Sequence, residues 1–193
     1  SNEHERRMLL FALSGTANAQ QLAFMQRVLE SLNNEDATIL SEWFVNHPSQ
    51  EAIKHFTSLA AKDFAEETDL TFALAAMGDT NVVNWAKEFV KKKGERDWVG
   101  YYVYARSPLP EADALAQKVI QGGDSDALVW LVQGYDDSRR TDRLDRLKEI
   151  VAIKAKGRKL ILWLRRALDD MAYHGDKQAE SLLNGLPVVD SEQ

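Results

Sequence analysis

The chain has 193 residues, 45% of them hydrophobic and 28% charged, with a net charge of −6, four Pro, ten Gly and no Cys. This is the make-up of a globular chain, long enough for one large domain or a short repeat array. It excludes disulfides, zinc–thiolate sites and cysteine nucleophiles, and so little Pro and Gly is sparse for an all-β fold, which needs them at its turns.

The N-terminal residues Ser1 to Arg7 are polar and charged and do not read as a signal peptide. No apolar run reaches the length of a membrane span. A chain without cysteine escapes mispairing in an oxidising compartment, which favours the periplasm slightly over the cytoplasm.

In chain order, the pattern predicts a helix from about Glu5 to Ser14. A second runs from about Ala17 to Leu32 with Leu22, Met25, Leu29 and Leu32 on one face. A third, near Glu35 to Asn46, presents Ile39, Leu40, Trp43 and Phe44. After the break at His47-Pro48 comes a stripe of Ala52, Ile53, Phe56, Leu59, Ala60 and Phe64. A short helix from Leu70 to Met77 and a longer one from Thr80 to Lys93 follow, the second closing on Lys91, Lys92 and Lys93, where positive charge suits the helix dipole.

The stretch Asp97 to Arg106, DWVGYYVYAR, has the β-branched and aromatic content of a strand but stands between helices, and is read as helix. Ser107-Pro108-Leu109-Pro110 is a firm break. Helices are expected over Glu111 to Gln121, Ser125 to Tyr135, Thr141 to Ala155, Arg158 to His174 and Lys177 to Asn184. Residues 1–185 are read as a single helical repeat domain and 186–193 as a flexible tail.

Four places share one pattern: an apolar stretch reaches Gly, a short polar residue follows, and a new apolar period begins. They lie at Gly15-Thr16, Gly78-Asp79, Gly123-Asp124 and Gly175-Asp176. Gly enters the left-handed helix cap without strain, and Thr or Asp can accept an orphan N–H of the next helix. ALAAMGDTNVVNWAKEF, VIQGGDSDALVWLVQGY and MAYHGDKQAESLLNGL resemble the junctions of Sel1-like repeats, relatives of tetratricopeptide repeats, over the C-terminal two thirds of the chain. The matching positions are Gly78-Asp79, Gly123-Asp124 with Ala127, and Gly175-Asp176 with Ala179. The gaps of 45 and 52 residues between these Gly are longer and less even than in a regular array. The resemblance implies paired antiparallel helices and protein–protein interaction, with no shared chemistry.

Catalytic patterns are missing: no phosphate-binding Gly loop, no G-x-S-x-G and no H-E-x-x-H. His4, His47, His55 and His174 do not pair at metal-ligand spacing, and no metal site or cofactor is expected. The adjacent carboxylates Glu66-Glu67, Asp136-Asp137 and Asp169-Asp170 read as solvated helix ends.

Charge is unevenly spread: residues 1–138 carry −9, residues 139–166 carry +8, and residues 167–193 carry −5. The basic block could bind phosphates through Arg139, Arg140, Arg143 and Arg146, or face the carboxylates of its own chain. Interleaved Leu144, Leu147, Ile150 and Val151 favour the second reading. Trp43, Trp85, Trp98, Trp130 and Trp163 read as packing between hairpins. The cluster Trp98, Tyr101, Tyr102, Tyr104 and Arg106 reads as the wall of a partner groove.

The expected architecture is therefore all-α, a right-handed superhelical stack of about five antiparallel hairpins. The expected role is a scaffold or adaptor holding a protein or peptide on its concave face, such as a bacterial envelope adaptor or a toxin-neutralising protein. The alternatives are a nucleic-acid-associated regulator using residues 139–166 and a small-ligand binder at residues 98–104.

Overall fold

A computed structural model describes residues 24–25, 27, 29–92, 96–138, 140–153 and 157–189. All regular structure among them is helical. The chain divides into two compact units, residues 1–82 and 83–193.

In the first unit, a 3-10 turn over Leu29–Ser31 leads into α1 (Asn34–Asn46), α2 (Gln50–Ala60) and α3 (Thr68–Ala76). Asn33 caps α1 by accepting from the Asp36 N–H at 2.9 Å, and Ser49 caps α2 by accepting from Ala52 at 3.1 Å. Helix α2 stops at Ala60 and does not reach Phe64 as expected. Beyond it, the Asp63 carboxylate accepts from the Ala65 N–H at 2.9 Å, a local side-chain turn that competes with helix. Helix α3 is apolar nearly all round, so it is buried, and it packs against both α1 and α2. Leu40, Trp43, Phe44 and Phe56 complete this core. The expected helix over residues 5–14, most of that over 17–32 and the Gly15-Thr16 junction lie outside the described residues.

Helix α4 (Thr80–Lys91) leads into the second unit, which continues with α5 (Trp98–Arg106), α6 (Pro110–Gly122), α7 (Ser125–Asp136), α8 (Arg143–Ala152), α9 (Arg158–Tyr173) and α10 (Lys177–Gly185). The DWVGYYVYAR stretch is helical. Six of the nine residues of α5 are buried: Val99, Gly100, Tyr102, Val103, Tyr104 and Ala105. Its strand-like composition is that of a helix enclosed on most sides. Helix α7 is the same, with Ala127, Leu128, Val129, Leu131, Val132, Gly134 and Tyr135 buried.

These two helices meet closely. A Cβ built on Gly134 would stand 2.7 Å from the Ala105 Cβ and 3.0 Å from the Tyr102 carbonyl. At the other end of α5, Trp98 meets Trp130 with ring centroids 4.9 Å apart. Both pairings, 98 with 130 and 102 with 134, are offset by 32 residues, so α5 and α7 run in the same direction. Helix α9 follows α7 likewise: Ser125 lies against Gly157, Trp130 against Lys159 and Asp136 against Arg166. The reverse-running helices keep the same register, since Asp113 of α6 meets Arg146 of α8 and Gln117 meets Glu149.

The Gly–Asp joints end helices as their pattern predicts, with φ of 82° at Gly78, 67° at Gly123 and 94° at Gly175. Asp79, Asp124 and Asp176 each accept N–H groups of the following helix. The three joints are nevertheless not equivalent. At Gly78 and Gly175 the residue after Gly donates back across six residues, Asp79 to Leu74 and Asp176 to Met171 at 3.0 and 3.1 Å. Gly123 has its own donation, to Ile120 and Val119, and closes the reverse-running α6. Gly78 and Gly175 thus share a cap geometry that Gly123 lacks, so the gaps of 45 and 52 residues join unlike positions.

Two expectations follow. Gly134→Ala destabilises by about 1–3 kcal/mol, because the clash is with backbone and a Cβ that cannot swing away. Gly123→Ala costs about 1 kcal/mol through left-handed strain alone, whereas Gly122→Ala, which has open space and helical backbone, stabilises by about 0.5 kcal/mol. Urea unfolding of the three variants checks both, and a Gly134→Ala protein as stable as the parent would contradict the close-approach account.

Candidate binding surface on the second unit

Of the five residues predicted to line a groove, Tyr102 and Tyr104 are buried, with 8% and 3% of their surface exposed. They belong to the core around α5. The Tyr102 hydroxyl donates to the Asp137 carboxylate at the end of α7. Burial pushes the Tyr104 hydroxyl far above its usual range. Trp98, Tyr101 and Arg106 are half-exposed. Tyr101 ionises less readily than a free phenol, first from burial and then from the charges of Asp97 and Asp124.

The partial exposure of Trp98 continues onto residues that the sequence reading assigned to packing. Trp130 and Trp163 are also half-exposed, while Trp43 in the first unit is buried as expected. The Lys159 ammonium lies 5.2 Å from the centre of the Trp130 ring, and Trp163 stands one helical turn beyond Lys159. The Arg166 guanidinium covers Trp163 at 4.7 Å. Trp98, Trp130, Lys159, Trp163 and Arg166 thus form a belt across the parallel helices α5, α7 and α9. One signal could have found it: Trp98, Trp130 and Trp163 are spaced 32 and 33 residues apart.

The basic residues lead elsewhere. Arg140 has only 10% of its side chain exposed and directs its fork at two carboxylates, Asp113 at 3.0 Å and Asp142 at 2.7 Å. A third donation reaches the Ser107 carbonyl at 2.6 Å, at the C-terminal end of α5. Arg146 donates to Asp113 and Glu149 at 2.8 and 2.9 Å. Arg143 reaches the Asp136 carbonyl at 3.3 Å and lies 3.9 Å from the Asp170 carboxylate. Arg139 lies outside the described residues. Arg140 therefore clamps the segment between α7 and α8 onto α5 and α6, Arg146 ties α8 to α6, and both guanidinium groups face carboxylates of their own chain. The guanidinium of Arg140 also lies over the ring of buried Tyr135 at 5.7 Å. The hydrogen bond from Arg140 holds the Asp142 carboxyl below its usual range, and the same bond raises Arg140.

A shallow cleft in the first unit is lined by Leu29, Glu51, Lys54, His55 and Ser58. Two of its polar groups bond the backbone: the Ser58 hydroxyl donates to the His55 carbonyl at 2.6 Å, and His55 Nε2 bonds the Leu32 carbonyl at 3.0 Å. His47 stacks on Trp43 with centroids 4.4 Å apart. Among the described residues no group of three or more His, Asp or Glu is placed to hold a metal ion, and no helix is long and apolar enough to cross a membrane. No family model matches the chain, and it matches no curated protein and no solved structure.

Arg140→Met takes one cationic donor from both Asp113 and Asp142, leaves Arg146 as their remaining cation among the described residues, and costs about 2 kcal/mol at neutral pH. Asp142 has a lowered folded-state pKa, so its contribution is complete above its unfolded pKa of about 4 and is lost as pH falls through the folded value. The stability gap between parent and variant therefore narrows below about pH 4. Denaturant unfolding at a series of pH values measures this, and a constant gap would contradict it.

Proposed function

We propose that this chain is a helical repeat protein of the tetratricopeptide and Sel1-like type, an interaction scaffold that binds a protein or peptide partner. The proposed site is the exposed face of α5, α7 and α9 in the second unit. The observation that carries the reading is the common register. Forward helices and reverse helices each repeat their contacts at about 32 residues, close to the roughly 34-residue period of tetratricopeptide repeats. Tandem helical hairpins stacked in this way build an extended surface from corresponding positions of successive repeats. Here those positions carry Trp98, Trp130 and Trp163, with Tyr101 beside them. Half-exposed Trp and Tyr offer large contact area at small entropic cost, and such residues are enriched at binding hot spots.

The test is affinity capture on the immobilised protein, comparing the parent with Trp130→Ala, Tyr101→Ala and the remote Lys118→Glu. Discrete proteins are expected on the parent and on Lys118→Glu. Both aromatic variants are expected to lose them while keeping a cooperative melting transition. Capture that is unchanged in both aromatic variants, or that disappears on nuclease treatment, contradicts the reading.

A further inference from the structure

The belt is electrostatically polarised, and its polarity specifies what lies on it. Asp97 is the N-cap residue of α5, next to Trp98, and Asp124 and exposed Asp126, one turn before Trp130, stand at the start of α7. The charges of Asp97 and Asp124 act on Tyr101. At the α9 edge stand Lys159 and Arg166, both exposed. Lys159 has the Trp130 ring as its described contact, which leaves its ammonium open to a carboxylate. Arg166, over the Trp163 ring and 4.0 Å from Asp136, still has 68% of its side chain exposed. The Trp98–Trp130 pair joins α5 to α7 beyond these carboxylates, and Lys159 of α9 lies on its Trp130 side.

We infer that the partner is an extended peptide with a charge gradient, acidic over Lys159 and Arg166, apolar over Trp98 and Trp130, and neutral or basic beside Asp97 and Asp124. This rests on the peptide-binding reading given above. A single-stranded nucleic acid would also stack on Trp and meet Lys, but its continuous phosphates would face the carboxylates of Asp97, Asp124 and Asp126. A peptide can match both edges, and misplaced like charges at such a rim penalise the wrong register or the wrong partner.

The probe is a displayed library of random dodecapeptides, selected on the parent protein and on Lys159→Glu, Asp97→Asn and Lys118→Glu. The recovered peptides are then measured by fluorescence anisotropy, with a twelve-nucleotide oligo(dT) as competitor. The expected result is enrichment of peptides with Asp or Glu at one end, apolar residues in the middle, and no acid at the other end. Lys159→Glu should weaken these peptides at least tenfold and select sequences without the acidic end. Asp97→Asn should relax the choice at the opposite end, and Lys118→Glu should change neither. Peptides that bind through Trp130 but show no charge gradient overturn the inference and leave the scaffold reading intact. No enriched peptide at all overturns both, and oligo(dT) that displaces the peptides at equal concentration overturns the choice of partner.

Discussion

The second unit is organised around the contact of α5 with α7 at Gly134. Removing a single side chain lets the Tyr102 backbone and Ala105 come within reach of the neighbouring helix. That approach sets the register, and the register decides everything that follows: which aromatic rings meet, which Asp faces which Arg, and where α9 lies. A second close approach, with Gly100 against Val90 and the Ala86 carbonyl, holds α5 to α4. Helix α5 is thus confined on two sides by positions where almost nothing larger fits, which is why six of its nine residues are buried and only Trp98, Tyr101 and Arg106 keep partial exposure.

Around that confined helix the polar groups act as a clasp. Arg140, Asp113, Arg146, Asp142 and Glu149 join the start of α8 to α6, and the Arg140 donation to Ser107 reaches the end of α5. Such networks gain little from each exposed pair, but a guanidinium with one tenth of its side chain exposed cannot be left unmatched. Tyr135 shows how closed the region is. Its hydroxyl is buried without a partner among the described residues, and burial holds its ionisation far above the usual range.

Much of the all-helical fold was legible because its signals are local. A Gly that ends a helix and an Asp that starts the next act within six residues, so the joints at Gly78, Gly123 and Gly175 could be read directly. The helix of residues 98–106 was harder, since burial on most sides erases the periodicity that marks an amphipathic helix. Gly134 carried a signal that went unused: Gly inside an apolar helix costs about 1 kcal/mol and so has a packing reason when it persists. The candidate surface was half legible. Trp98 and Tyr101 stood out, but Tyr102 and Tyr104, equally aromatic, turn inward because of where they fall on α5. Lys159 and Trp130 are distant in sequence, and only the register brings them together. The pairing of the basic block was hidden for the same reason, since Asp113 lies 27 residues before Arg140.

The same register bears on how the unit is reached from the unfolded chain. Its helices pack mainly on their immediate or next-but-one neighbours, so each step closes a loop of roughly 30 residues or fewer and none requires the chain ends to find one another. Loop-closure entropy grows only slowly with length and short-range topologies fold quickly. A nascent chain could therefore consolidate α5 against α7 before α9 and α10 have been made, and those later helices would add onto an existing edge.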